Sequence, residues 1–376
     1  MNGVIRTSLV TALCLVLAAC NTPRGAGFQS EVLAASAQDG TAAPGEPGYD
    51  FDVVQVTRAS LPVIADWPVH GAAPHNWPGA QAQPANVLIA PGDLLRISVW
   101  DAEENSLLTS PGQRVTQLQD VRVGADGRIF IPFVGEMRVA GMAPGTARAR
   151  IEQELIATVP SAQVQLDLEA GRGNTVELVS GISRPGVYPM ADSDTSVLEM
   201  IAEAGGVASG IANPRIKLFR GGTTYTTSVA RLFESPALDA TVIGGDRIIV
   251  EEETRRFISL GAANRQQIHV FPEDRVTALE ALAMIGGVDA NRANPQGVLV
   301  LRDYPAGAVS DGIRGPSMER MVFTIDLTTA DGLFSAGQFQ IRDGDLVYAT
   351  ESPLGTARTI VGLVASGLSL LNDLDV

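Results

Sequence analysis

Apolar and polar residues alternate with period two in several short runs of this chain, and with helical period in a few others. Leu95, Ile97 and Val99 share one face of a run whose other face carries Arg96 and Ser98, which predicts a half-buried strand. Two further alternating runs flank Asp126-Gly127, a pair suited to the left-handed geometry of a hairpin turn. Residues 144–157 put Ala147, Ile151, Leu155 and Ile156 on one helical face, and Val164, Leu166 and Leu168 alternate as a closing strand. Residues 103–118 read as a polar excursion between these elements.

Beyond residue 170 the pattern repeats. Ser196-Val-Leu-Glu199 and Thr277-Ala-Leu-Glu280 are both capping boxes. Each starts a short apolar helix that runs into Gly-Gly-Val, at 205–207 and 286–288. Asn213-Pro214 and Asn294-Pro295 keep the same offset, so one domain type is used twice in tandem. In the first copy Val176–Pro189 reads strand, turn at Pro185-Gly186, strand. The helix 197–204 buries Val197, Leu198 and Ile201, with Gly205 or Gly206 taking the left-handed stop. Strands at 216–219 and 248–250 follow, the latter behind Gly245-Asp246. The second copy gives strands at 257–260, 268–270 and 298–301, then Gly344-Asp345 before 346–348, with extra length in a loop at 303–320.

The fold class predicted is α+β. The chain has 376 residues, of which 45% are hydrophobic and 18% charged, enough to pack several cores. Its net charge of −15 comes without any Lys/Arg cluster beyond Arg255-Arg256, which argues against nucleic acid as a partner. Cys14 and Cys20 are the two cysteines, so the body of the chain has no disulfide framework, thiol nucleophile or cysteine metal site. His70 and His75 lie in a Pro/Gly-rich stretch and are too few ligands for zinc; they read as loop residues. There is no P-loop, dinucleotide fingerprint, nucleophile elbow or histidine-bearing triad. Paired acids such as Glu103-Glu104 and Glu251-Glu252-Glu253 read as solvated strand ends and loops. No catalytic, cofactor or metal residue is assigned, and the chain is expected not to be an enzyme.

Residues 1–19 read as a signal peptide, with Arg6 before an apolar stretch from Leu9 to Ala18 too short to span a bilayer. Leu17-Ala18-Ala19-Cys20 resembles a bacterial lipobox at every position; the alternative is an ordinary signal peptide with an incidental cysteine. The resemblance implies lipidation of Cys20, and Asn21 after it implies sorting to the outer membrane. Residues 20–85 are an Ala/Gly/Pro/Ser-rich tether followed by a lead-in segment. Within it, 49–66 regain alternation at Phe51, Val53, Val54 and Val56, a short strand leading into the first domain.

Pro91-Gly-Asp-Leu-Leu-Arg-Ile-Ser-Val-Trp100, Asp126-Gly-Arg-Ile-Phe-Ile-Pro-Phe-Val-Gly-Glu136 and Val139-Ala-Gly141 resemble the polysaccharide export domain of Wza-like outer-membrane export lipoproteins. Together they span one domain, 86–172. Arg184-Pro-Gly-Val-Tyr-Pro189 and the Gly-Gly-Val helix stops are similar to SLBB domains, which have the β-grasp fold. These fall at 173–254 and 255–352, although the second has Asn264-Arg-Gln-Gln-Ile268 in place of the Arg-Pro-Gly turn.

The last segment, 353–376, carries Ile360, Val361, Val364, Leu368, Leu371 and Leu374 on one helical stripe, with Thr359, Ser366, Ser369 and Asp373 elsewhere. It is an amphipathic helix either docked on its own domain or crossing the membrane in a ring, leucines outward and hydroxyls toward water. Gly362 and Gly367 permit close helix approach. The family resemblance favours the ring, a homo-oligomer of eight subunits. It further implies a polysaccharide substrate passed outward by an inner-membrane polysaccharide co-polymerase, with the body of the protein in the periplasm. The expected function is an export channel subunit for capsule or exopolysaccharide; the alternative is a non-pore lipoprotein that binds glycan or an export partner through its SLBB domains.

Overall fold

The computed structural model describes residues 25–34, 36, 51–68, 77–79, 87–101, 115–118 and 120–353. The fold is α+β. It divides into two compact units: Met1–Ala73 goes with Thr254–Val376, and Pro74–Glu253 forms the other.

The first described strand belongs to the end of the chain. β1 (Phe51–Gln55) lies in parallel with a strand formed by Arg320–Ile325, Phe51 opposite Arg320 and Val54 opposite Phe323. The strand expected in 49–66 is therefore present, but it completes the sheet of the second repeat. Burial explains the choice. Val56, Ile64 and Trp67 are buried in that repeat's core, and the Trp67 ring meets Tyr304 at 5.9 Å and Phe323 at 6.0 Å. A short alternating run advertises one apolar face and leaves its partner unspecified.

In the Pro74–Glu253 unit, β2 (Leu94–Trp100) is the hub of the first sheet. It pairs with β3 (Val115–Gln117), β4 (Val121–Arg122) and, along its whole length, β7 (Gln163–Glu169). Leu95, Ile97 and Val99 are buried, as the alternation requires. The helix Pro144–Ile156 covers this core with Ala147, Ile151 and Leu155; Ile156, expected on the same face, is exposed. Asp126-Gly127 does make a tight turn, closed by a 2.8 Å bond from Gly124 N to Arg128 O, with Gly127 at φ +78°. The strands on either side then part. β5 (Arg128–Ile131) takes β6 (Gly135–Arg138) as its ladder partner, so the hairpin proper turns at Pro132-Phe133. Turn chemistry set the bend; β4 was already committed to β2.

The same unit holds the first repeat: β8 (Thr175–Ser180), β9 (Gly186–Pro189), the helix Val197–Glu203, β10 (Arg215–Arg220), β11 (Thr223–Ser228), the helix Val229–Glu234 and β12 (Arg247–Glu251). The strand order is β11-β10-β12-β8-β9, with β12 and β8 parallel. The capping box forms: Ser196 Oγ accepts from Glu199 N at 3.1 Å, and the Glu199 carboxylate accepts from Ser196 N at 3.4 Å. Met200, not Leu198, joins Val197 and Ile201 in the fully buried stripe, and Leu198 is half-buried. Both Gly205 and Gly206 are left-handed at the helix stop.

The second repeat retraces this path. β13 (Arg256–Gly261), β14 (Ile268–Val270), β15 (Val276–Thr277), the helix Ala278–Met284, β16 (Ala293–Asp303), β17 (Arg320–Ile325), the helix Ala330–Ala336, β18 (Gln340–Ile341) and β19 (Leu346–Glu351) follow in turn. The main sheet reads β1-β17-β16-β19-β13-β14, the order of the first repeat with β1 added at one edge. The extra loop falls between β16 and β17.

One turn occurs three times, always just ahead of a strand. Gly92, Gly245 and Gly344 are left-handed, at φ +93°, +88° and +85°. Each is followed by a buried aspartate, Asp93, Asp246 or Asp345. The carboxylate accepts from the backbone N–H three residues earlier: Ala90 at 2.7 Å, Ile243 at 2.9 Å and Arg342 at 2.8 Å. A second, buried or half-buried partner completes it. Asn174 serves Asp93, Arg220 serves Asp246 and Arg302 serves Asp345. A buried carboxylate is tolerated only with such pairing.

His269 sits buried on edge strand β14, stacked on Phe257 with centroids 4.8 Å apart and Nε2 2.9 Å from Ser259 Oγ. Burial, and then the charge of Arg265, hold its pKa below the ordinary value of 6.5. The neutral ring is favoured by folding, so its stabilising contribution is present above the unfolded value and lost as the pH falls toward the folded one. Thermal melts between pH 7.5 and pH 5 are expected to show the second repeat weakening on acidification. In His269→Gln that part of the slope disappears.

Candidate functional site

Three surfaces hold side chains that the cores do not consume. The first is a clasp between the start and the end of the described chain. Phe28 forms a parallel bridge with Glu351, and Gly27 N donates to Tyr348 Oη at 2.8 Å. Glu351, largely buried, accepts from Gly25 N at 3.1 Å and from Arg292 Nη2 at 3.3 Å. Asn294 Nδ2 donates to Gln29 Oε1 at 3.3 Å. Residue 25 and residue 351 are thus held at one corner of the second repeat. Cys20 lies five positions before Gly25, a reach of at most about 18 Å of extended chain. The C-terminal segment starts two positions after Glu351. Cys20 and the stripe Ile360, Val361, Val364, Leu368, Leu371 and Leu374 lie outside the described residues, as do His70 and His75.

The second surface recurs in both repeats. Val179 and Val187 are exposed on β8 and β9, and Ile258, Leu260, Ile268 and Val270 are exposed on β13 and β14. Ile258 lies directly opposite Ile268, so the last four form one apolar face. The helix after β11 exposes Phe233, and the helix after β17 exposes Phe334. Each repeat therefore carries an exposed apolar strand pair and an exposed phenylalanine on the helix that follows its β11 or β17 strand. Sequence periodicity could not flag these, because the outward face of a strand reads the same whether water or protein covers it.

The third is the β5–β6 hairpin. Val134 N bonds Ile131 O at 3.2 Å, closing a turn with Pro132 second and Phe133 third. Phe133 has φ +68°, the position at which such turns favour glycine. A left-handed non-glycine residue costs roughly 1–2 kcal/mol. Phe133 is 55% exposed, and Phe130 is 63% exposed. On the same outward face Arg128 stands opposite Arg138, and Phe130 opposite Glu136.

A polar cavity of about 310 Å³ is lined by Arg302, Asp303, Asp343 and Asp345, among others. The Arg302 guanidinium bonds both Asp345 oxygens, at 2.8 and 2.7 Å, and lies 5.1 Å from the Phe323 and Phe339 ring centres. Its charges are mutually satisfied, and it reads as the packing of the third Gly-Asp turn.

Residues 81–169 match the polysaccharide biosynthesis/export protein family. The chain is 28% identical to the capsule polysaccharide export protein BexD of Haemophilus influenzae, over 73% of this chain and 74% of the relative. It is 25% identical to the capsule polysaccharide export outer membrane protein CtrA of Neisseria meningitidis, over 75% and 78%. Identity to the Vi polysaccharide export protein VexA/TviF of Salmonella typhi is 24%, over 90% and 91%. The family match covers the first sheet and the hairpin.

Proposed function

We propose that this chain, whose residues 81–169 carry the polysaccharide biosynthesis/export family's domain and which resembles capsule-export proteins over about three quarters of its length, is one subunit of an outer-membrane export channel. Several copies surround a passage through which a surface polysaccharide leaves the periplasm. The relatives are export proteins, and CtrA is named as one of the outer membrane. The subunit itself is passive; polymer and energy come from an inner-membrane polysaccharide co-polymerase.

The observation that carries the oligomeric reading is the doubled pair of apolar surfaces. A closed ring uses a head-to-tail contact in which one patch meets a different patch on the next copy. In each repeat the apolar strand pair and the exposed helical phenylalanine, Phe233 or Phe334, are the two different patches for such a contact, giving two contacts per subunit. The two repeats are the tandem SLBB domains of this assembly. Cys20, lipidated, anchors the chain to the outer membrane. The clasp at Glu351 supports a layout in which the anchor and the C-terminal segment leave from one corner and reach the same bilayer. The membrane crossing is assigned to 353–376 on the apolar stripe of its sequence.

Cells lacking this chain are expected to retain polymer in the periplasm and lose it from the surface, with both restored by the intact gene. Normal surface polymer in the deletion strain would remove the export reading. Fractionation followed by polysaccharide quantification is the measurement.

A further inference from the structure

We propose that the outward face of the β5–β6 hairpin, together with its turn, is a contact site for an acidic polysaccharide, Phe130 and Phe133 stacking on sugar C–H faces and the arginine pair taking a carboxylate. The inference rests on the export reading above and names the class of polymer handled there.

Three local features are unexplained by the fold. Phe133 occupies a left-handed position with a ring that is mostly exposed, so the backbone strain is not offset by burial. Phe130 is also exposed, and neither ring meets another aromatic ring among the described residues. Arg128 and Arg138 are directly opposed across the ladder, where like charges are unfavourable. Their nearest acids hold them loosely: Arg128 lies 3.9 Å from Asp126 and 3.8 Å from Glu136, all well exposed, and Arg138 donates to the Asp126 carbonyl at 3.2 Å. Such pairs contribute little and give way easily to a better partner.

A carboxylate bridging two guanidiniums relieves their repulsion with charge-assisted hydrogen bonds. Exposed rings beside it present flat apolar surfaces of the size of one sugar. Two separated rings in a charged surround are too little apolar area for a stable protein partner, which needs about 800 Å² per side. They suit a ligand that must bind and leave repeatedly, because conduction requires weak, multiple contacts. That both costs fall within the 81–169 match, on the single β5–β6 hairpin, is the juxtaposition the proposal stands on.

The test uses the purified full chain in detergent and a panel of carboxylate-bearing oligosaccharides (oligogalacturonate, oligosialate, hyaluronate fragments), with maltooligosaccharides as the neutral control. Binding is read by calorimetry and by saturation-transfer NMR. The wild type is expected to bind at least one acidic probe several-fold more tightly than the neutral ones. Phe130→Ala and Phe133→Gly should each weaken that binding by about fivefold or more. Arg128→Gln/Arg138→Gln should abolish the acidic preference and its salt dependence. Phe133→Gly should also melt higher than wild type, which separates loss of binding from loss of fold. Unchanged affinity in these variants, or no acidic probe bound by wild type, overturns the proposal. So does intact glycan binding combined with loss of an envelope protein partner. These measurements do not involve export, so a deletion strain with normal surface polymer would fail the export reading alone.

Discussion

Truncation after Ser352 is expected to abolish surface polysaccharide while leaving the described fold intact. Among the described residues, the buried clusters end at Ala349, and the clasp is complete at Glu351 and Ser352. The truncated protein therefore keeps its packing, and its thermal midpoint should match that of the full chain. It loses 353–376, the segment to which the proposed membrane crossing belongs. The sequence pattern predicts a helix over 356–375, which would be about 30 Å long, the thickness of a hydrocarbon core. Surface polymer, measured with antibody or lectin on intact cells, should fall to the level of the deletion strain. Full export by a stably folded truncation would leave the non-pore lipoprotein as the better reading.

Asp345→Ala is expected to destabilise the second repeat by about 3–5 kcal/mol, the usual cost of breaking a buried ion pair. The side chains of Arg302 and Asp345 are 3% and 0% exposed. Loss of the carboxylate strands a guanidinium between Phe323 and Phe339 and frees the turn amide of Arg342. Replacing both charges, as Arg302→Met/Asp345→Asn, should recover most of the loss, because no buried charge remains and asparagine can still accept from the turn. Urea unfolding midpoints of the single and double variants make the comparison. Equal losses in both would mean that the turn, not the charge, carries the effect. The matching Arg220–Asp246 pair is less deeply buried, at 12% and 1%, and its single variant should cost less.

What was legible in the chain followed from local chemistry. Capping boxes at Ser196 and Thr277 marked the helices, because reciprocal side-chain bonds are written within four residues. The alternation at Leu95, Ile97 and Val99 marked the hub strand. Partnership was not legible. β1 carries the same alternation whether it pairs forward to the first domain or across some 270 positions to β17. Asp126-Gly127 specified a bend, yet the ladder went to β6. The Gly-Asp repeats were visible at 245 and 344, whereas the arginines that satisfy them come from a distant strand, β10 in the first repeat and its equivalent β16 in the second. Phe133 gave no cue at all, since a left-handed residue that is not glycine can be recognised only from its backbone angle.

The central claim is that several copies of this chain close around a passage. Mass measurement of the full-length protein extracted in detergent, by native mass spectrometry or light scattering, tests it most directly. The account predicts a single closed oligomer of fixed subunit number, eight by family resemblance, that is lost when Phe233 and Phe334 are both changed to glutamate. A monomer at working concentration, with its fold intact, would contradict it.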